Sequence, residues 1–412
     1  MTELFKAVTI TEARKIISAH YSGPKKTEMI PLLSAQGRRL AEEVRAKEDV
    51  PGFTRSTVDG FAVQARDTFG ASEGLPDYLE IAGEVFMGEE PKGRLETGQV
   101  WQIATGGMLP AGADAVVMVE YTENLEEKII GVVRPVAPGE NVIRQGEDIA
   151  AGSLVLPFSH CVKAHDLGVL AAAGVTAVKV FCPLRVGIVS TGDEVVPPEE
   201  KPVPGKVRDI NSYALYGAVT EAGGQPHLYG IVRDDFHRVR ESLSAALSEN
   251  DLVMLSGGSS VGTRDVAREA INSLGNPGVL FHGLSIQPGK PTIGAAIEGK
   301  LVFGLPGHPA SALVVFHLLV APLLYKGSYY EEENGFWEFP LTAQITRNIR
   351  SAPGREDFIR VKLFLRQGNL YAEPILGKSG LITTLVKANG LARITAGKEG
   401  VEAGETVEVK LF

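Results

Sequence analysis

Apolar and polar positions divide this chain into stretches of different period. Ala13, Ile16 and Ile17 recur at helical spacing behind Thr9 and Glu12, which stand as the two ends of a capping box. From about residue 51 to 138 the helical period fades. Short apolar pieces (YLEIAGEVF, QVWQIAT, DAVVMVEY) alternate there with turn-rich PKGRLETG and GMLPAGAD, which predicts a small β-rich domain. A helical stretch near 159–173 ends at Gly174 and would pack with the first helix if the β-rich region is an insertion.

Beyond it, LRVGIVS, HLYGIV and DLVMLS read as strands. They are separated by the helical patterns 211–223 and 234–250 and followed by a third, RDVAREAINSLG. Apolar strands alternating with helices indicate a mostly parallel sheet covered on both faces. The segment 309–321 is apolar nearly all round and should be buried against it. From Phe336 onward the period returns to two in FPLTAQI, FIRVKLFL, LYAEPI and TVEVKLF. The expected fold class is therefore multidomain α/β plus β. A central three-layer α/β domain spans 181–326, a β-rich domain is inserted at 51–139, and a mixed N-terminal domain combines 1–50 with 140–180. A barrel-like β domain closes the chain at 334–412.

Composition narrows the function. A net charge of −9 weighs against nucleic acid or an anionic membrane surface as partner. The two cysteines, Cys161 and Cys182, have neither zinc-site nor disulfide-framework spacing, which fits a reducing compartment. The start of the chain lacks the basic-then-apolar order of a signal peptide. The longest apolar run, 310–324, is interrupted by His317 and Pro322 and is too short for a bilayer. A cytoplasmic protein is expected, with no nucleic acid and no membrane.

Candidate chemistry concentrates in 251–309, in DLVMLSGGSSVGTRD, LSIQPGKPTIG and LVFGLPGHPAS. Glycines at strand ends let backbone N–H groups approach an oxyanion closely. Gly257, Gly258, Ser259 and Asp265 fall in the first segment, Lys290 in the second, and Pro306, Gly307 and Pro309 in the third. STGDEV brings Ser190, Thr191, Gly192 and Glu194 to another strand end, and Asp234 opens a later loop. Carboxylates beside a bound oxyanion would repel it unless a cation lay between them, so the pattern points to Mg²⁺ held by one or two carboxylates and ligand phosphate. Each acid has a plainer reading too: Asp234, Asp235 and Asp265 can cap helices, and Glu194 can be an ordinary acidic turn residue. Asn211 or Ser212 is the expected cap of the first helix in this domain. Lys290 is not a Walker lysine, because the glycine spacing is wrong and no Ser or Thr follows it. Asp59 before Gly60 fits a hairpin turn, Arg144 and Asp148 a surface turn, and Arg355 and Arg360 exposed strand positions around Phe358. His160, Cys161 and His165 read better as helix surface than as metal ligands.

Taken together, STVDGFAV, ATGGMLPAGADAVVMVE, VIRQGEDI, STGDEV, SGGSSVGTRD, QPGKP and GLPGHPAS resemble the molybdopterin molybdenumtransferase family, which includes the E domain of gephyrin-type proteins. The resemblance runs from the first helix to the C-terminus, with the motifs in the family's order. It implies insertion of molybdate into adenylylated molybdopterin, release of AMP, a divalent metal, and a homodimer with its cleft between subunits. Molybdopterin adenylyltransferase and molybdoenzyme acceptors are the implied partners. Asp59, Thr105, Asp148, Glu194, Asp234 and Asp265 match the family's functional polar positions. Lys290, Pro306 and Pro309 match its anion-binding and cleft-shaping loops, and Arg355 and Ser379 its oxyanion contacts. The chain departs from the family's usual residues at Val58 (Met), Phe61 (Tyr), Gln287 (Lys) and His308 (Asn). A neutral Gln287 cannot neutralise an anion as lysine does. Three rivals follow: a tungstate-inserting paralogue, a non-catalytic scaffold of the same fold, and an enzyme that nucleotidylates the pterin. The last belongs to a family of much shorter chains.

Overall fold

The computed structural model describes residues 7–21, 23, 25–257, 263–326 and 339–412, and the side chains of all of these but 263–265 and 326. The chain forms two compact units, Met1–Thr27 with Phe181–Phe412, and Glu28–Val180.

A six-stranded sheet organises the larger unit, in the order Gln225–Val232, Arg185–Thr191, Leu252–Gly257, Lys300–Leu305, Ile293–Ile297, Pro277–His282. The first four strands are parallel, and Ile293–Ile297 runs against both its neighbours. Val186, Ile188, Leu252 and Met254 face one side, packed with Leu215 and Val219 of the helix Asn211–Glu221. Val189, Val253 and Leu255 face the other, packed with Val239 and Leu243 of Phe236–Glu249 and with Ile271 of Thr263–Asn272. Burial on both faces is why these strands read as unbroken apolar runs. Each such side chain contributes roughly 1.5–3 kcal/mol by leaving water. The chain leaves Arg185–Thr191 for the edge strand, then returns to Leu252–Gly257 on the opposite side. The strand order thus reverses between Arg185–Thr191 and Leu252–Gly257, and the crevice at the carboxyl ends of such strands is where an α/β sheet accepts ligands.

The first helix, Ile10–Ser18, has its capping box: Thr9 Oγ1 accepts the Glu12 N–H at 3.2 Å, and Glu12 accepts the Thr9 N–H at 2.8 Å. Ile10, Ala13 and Ile17 join Phe281 and Leu284 in the α/β core, whereas Leu170 of the helix Ala164–Ala172 joins Leu32, Leu40 and Val180. The apolar stripe of the first helix is thus taken up by the sheet's own flank.

In the same unit, Glu356–Arg366, Asn369–Pro374, Leu341–Ile345, Thr406–Leu411 and Gly390–Ile394 pair in that order, and the last pairs back onto the first. This closes a barrel around Ala343, Val361, Ala372, Val407 and Val409. Ile286–Gln287 adds in parallel to the start of Glu356–Arg366, which draws the QPGKP loop to the barrel rim.

In the smaller unit six strands pair in the order Ala115–Met118, Gly60–Val63, Gln99–Ile103, Asp77–Val85, Ile129–Val132, Thr122–Glu126. Phe61, Val63, Val100 and Ile130 lie in its core. Among the described residues no helix is long and apolar enough to cross a membrane.

Candidate active site

Two adjoining cavities of the larger unit are built from loops at strand ends. The larger, about 710 Å³, is lined by the QPGKP loop, the rim of the barrel and the 375–379 segment. Its cations are Lys290, Arg350, Arg355, Arg360 and Lys378, against one carboxylate, Asp357. Arg355 Nε lies 2.9 Å from Asp357 Oδ1, an ion pair bent away from hydrogen-bond geometry, and its Nη2 is 3.4 Å from Oδ2. Arg360 is buried, donates from Nη2 to the Gly377 carbonyl at 2.8 Å, and has no partner for Nε. Burial lowers its pKa. Ser379 and Gln287 also line this space. A half-open concavity with this excess of positive charge and directed donors suits a small oxyanion.

A second cavity, about 360 Å³, lies at the carboxyl edge of the parallel strands, lined by Ser190, Thr191, Glu194, Asp209, Asn211 and Gly257 among others. Thr191 is buried and donates from Oγ1 to Asp234 Oδ1 at 2.6 Å. Asp235, not Asp234, caps its helix, accepting the Arg238 N–H at 3.1 Å. Asp234 therefore orients Thr191. The expected cap at Asn211 or Ser212 is also corrected. Asp209 accepts the Ser212 N–H at 3.1 Å, while the Asn211 amide crosses to Ser256 Oγ at 2.7 Å and the Gly307 carbonyl at 2.9 Å. This crossing ties the first helix of the domain to the GLPGHPAS turn. Gly257 is obligatory here: its φ is +114°, and a Cβ would lie 1.9 Å from the Thr191 carbonyl oxygen.

The two cavities meet at the 306–309 turn. Pro306 lines the larger, Gly307 and Pro309 the smaller, and His308 both. Pro309 opens the helix Pro309–Val315, where its missing N–H costs nothing. Gly192 approaches Glu194 closely and lines a neighbouring cavity of about 480 Å³.

Asp59 and Thr105 meet in the smaller unit. Asp59 Oδ1 accepts both the Thr105 N–H, at 2.7 Å, and its hydroxyl, at 2.8 Å. The backbone bond and then the side-chain bond hold the Asp59 carboxyl below its usual pKa. So Asp59 does more than turn the chain, and Gly60 follows it because a Cβ there would sit 1.9 Å from the Val117 carbonyl oxygen. Asp148 is exposed in the same unit. His160 Nε2 pairs with Asp166 Oδ2 at 2.6 Å, in keeping with a structural role.

Gly258, Ser259 and the Asp265 side chain lie outside the described residues. Among the described residues no three His, Cys, Asp or Glu side chains gather as a metal site. Sequence reasoning missed Asp209, Arg350, Asp357 and Lys378, and treated Arg360 as a surface position. A cluster of basic residues around a glycine turn (GREDFIR with GKSG) was the available signal for the cation pocket.

These features define a multidomain α/β protein with a cation-rich pocket beside a glycine-edged crevice. Comparison with known proteins agrees along the whole chain. Residues 8–174 match the MoeA N-terminal region (domains I and II), 187–326 a probable molybdopterin binding domain, and 342–412 the MoeA C-terminal region (domain IV). A putative molybdopterin biosynthesis protein of Methanocaldococcus jannaschii is 36% identical over 98% of both chains. A molybdopterin molybdenumtransferase of Bacillus subtilis is 32% identical over 100% of this chain and 96% of its own. The crystal structure of a molybdopterin biosynthesis MoeA protein from Pyrococcus horikoshii superposes with a TM-score of 0.84 at 34% identity, covering 99% of this chain and 100% of that one. The chain belongs to the molybdopterin molybdenumtransferase family.

Proposed function

We propose that this protein inserts molybdate into adenylylated molybdopterin and releases AMP, yielding molybdenum cofactor. The observation that carries the reading is the shared 306–309 turn, which sets a cation-rich pocket directly beside a crevice carrying carboxylates and glycine turns. Lys290, Arg355 and Ser379 hold the oxyanion. Ser190, Thr191, Gly192 and Gly257 take the pterin phosphate and nucleotide, and the family resemblance adds Gly258 and Ser259 to that role.

The donor set in the crevice suits a hard cation, since Glu194 offers oxygen ligands that a phosphate can complete. Mg²⁺ would be held there by Glu194 and ligand phosphate, with Asp265 and Asp234 as the further carboxylates of the set. When bound it would polarise the phosphoryl group and ease departure of AMP. The chain's own residues do the rest. Thr191, fixed by Asp234, presents a constant edge to the phosphate, and the cations of the larger pocket neutralise the incoming oxyanion.

The finer assignments belong to the same proposal. The chain divides into a mixed domain of 1–50 with 140–180, an inserted β domain of 51–139, an α/β domain of 181–326 and a barrel of 334–412. It works as a homodimer in the cytoplasm, where free Cys161 and Cys182 suit reducing conditions. Asp59, Thr105 and Asp148 complete the cleft from the second copy, and molybdopterin adenylyltransferase and molybdoenzyme acceptors are its partners. Sedimentation tests the dimer: a monomer at micromolar concentration would remove the role of Asp59 across subunits.

The deciding assay incubates the protein with adenylylated molybdopterin and Mg²⁺, adding molybdate or tungstate separately, and measures AMP release and activation of an apo-molybdoenzyme. Release with molybdate and an activated acceptor is expected. Preference for tungstate would assign the Gln287 pocket to the other oxyanion, and no release with either would favour a scaffold.

A further inference from the structure

We propose that His308 is a positioning residue that turns the Ser379 hydroxyl toward the bound oxyanion, and so sets how tightly the larger cavity holds it. The inference rests on the reading of that cavity as the oxyanion pocket. His308 Nδ1 lies 2.9 Å from Ser379 Oγ. The imidazole has no capping duty on the helix that follows, because His308, at the N-cap, makes no side-chain hydrogen bond to that helix. Ser379 is itself fixed through its backbone, since its carbonyl accepts the Ala310 N–H at 3.1 Å. Gly380 neighbours the ring: a Cβ added there would meet His308 Cδ2 at 3.6 Å. Ring and hydroxyl are thus held face to face at the junction of the two cavities.

A serine hydroxyl has one proton to donate, and a neutral imidazole has one donor and one acceptor nitrogen. If Nδ1 is bare, it takes the Ser379 proton, and the hydroxyl then shows an oxyanion only lone pairs. If Nδ1 carries the proton, it donates to Ser379 Oγ, and the hydroxyl proton is free to point into the cavity. A bound oxyanion therefore selects the Nδ1–H form, and the imidazole lends Ser379 its orientation. An asparagine amide at residue 308 offers the same kind of N–H donor, whereas alanine offers none.

The test is a double-mutant cycle on the full chain, with inorganic molybdate alone as ligand and calorimetric titration at constant pH. Ser379→Ala should weaken molybdate binding about fivefold, the loss expected for one hydrogen bond, and His308→Ala less, about threefold, because the hydroxyl remains but is no longer turned toward the anion. The double variant should be no weaker than Ser379→Ala alone, because His308 acts only through that hydroxyl. His308→Asn should restore affinity to within about twofold of the parent. Additive losses, or a His308→Ala variant that binds as the parent does, would overturn the inference while leaving the pocket intact. A parent protein that binds no molybdate, with Arg355→Ala equally silent, would overturn the reading of the pocket and the inference with it. Unchanged circular dichroism and thermal midpoints exclude misfolding, which is not expected at an exposed His308 and a half-buried Ser379.

Discussion

The two cavities that meet at His308 are near neighbours with opposite charge. The larger gathers Lys290, Arg350, Arg355, Arg360 and Lys378 against Asp357, whereas the smaller carries Glu194 and Asp209 with Arg208. They also differ in how they are built. The cations stand on a barrel rim and a proline-flanked loop, where long side chains can follow a small tetrahedral anion. The carboxylates stand at the edge of a rigid parallel sheet, where backbone glycines set the spacing. The contrast indicates two chemically distinct guests at one turn: a free oxyanion on one side, and on the other a phosphate that needs a divalent cation to approach carboxylates.

Rigidity on the sheet side can be broken most severely. Gly257→Ala places a methyl group 1.9 Å from the Thr191 carbonyl oxygen at a φ of +114°. Backbone clash and strain together should cost about 3 kcal/mol or more of stability. Urea unfolding should show a lower midpoint, and AMP release should vanish. A variant as stable as the parent would mean the strand ends have slack, and the contrast in rigidity would fail.

A third basic group, Arg14, His317 and Lys410, shows what burial does to cations that line neither of the two cavities. Arg14 donates to the Leu318 carbonyl at 3.1 Å. Burial, then the Lys410 charge, lowers the His317 pKa to about 4. Burial, then Arg14, lowers that of Lys410 to about 8. With the folded pKa of His317 below its unfolded value, the unfolded chain takes up the proton first as pH falls. Stability should therefore decline between pH 6.5 and about 4, by at most about 3 kcal/mol. Lys410 contributes no slope in that window, because both its states are already protonated. His317→Leu should flatten the profile of thermal midpoints across it. An unchanged slope would put the acid sensitivity elsewhere.

The cavities themselves should separate under paired substitutions. Arg355→Ala should weaken molybdate binding by about 2 kcal/mol, roughly 30-fold, since a charge-assisted bond is lost. Glu194→Gln should leave that affinity unchanged and cut Mg²⁺-dependent AMP release about tenfold. Titration and release assays read the two effects independently. If Glu194→Gln also weakened molybdate binding, the cavities would be one site and not two.

The same contrast marks what the sequence made legible. The sheet side was largely readable, because burial on both faces leaves continuous apolar runs and strand-end glycines leave a local trace. Ser190, Thr191 and Gly257 fell where their motifs predicted. Local pattern failed where a side chain reaches across the fold. Asn211 looked like a cap, yet its amide spans to Ser256 and Gly307. Asp234 looked like a cap as well, but Asp235 holds that place and Asp234 meets Thr191. The cation pocket was half legible. Lys290 came from its own loop motif, Arg355 and Ser379 from the family resemblance, and Arg350, Arg360 and Lys378 join them only once the barrel has closed. The first helix was found with its cap, but its contact with Phe281 and Leu284 was not, since an apolar stripe does not name the surface it will meet.

Asp357 offers the finest probe of the charge contrast. It is the single carboxylate among the cations of the larger pocket, is buried, and lies 2.9 Å from Arg355 Nε. Two effects oppose each other there. The carboxylate restrains a guanidinium that would otherwise roam, which favours binding, and its charge offsets part of the field that attracts an anion. The Nε–Oδ1 contact is bent away from hydrogen-bond geometry and the Nη2–Oδ2 hydrogen bond is long, at 3.4 Å, so the restraint is weak and the charge effect should dominate. Asp357→Asn keeps the shape and removes the charge. Molybdate affinity should rise about threefold at low salt, as expected for one unit charge at partial screening, with the gain shrinking as salt is added. A loss of affinity at every salt concentration would show that Asp357 acts by holding Arg355 in place, and the larger cavity would then be as rigidly organised as the smaller one.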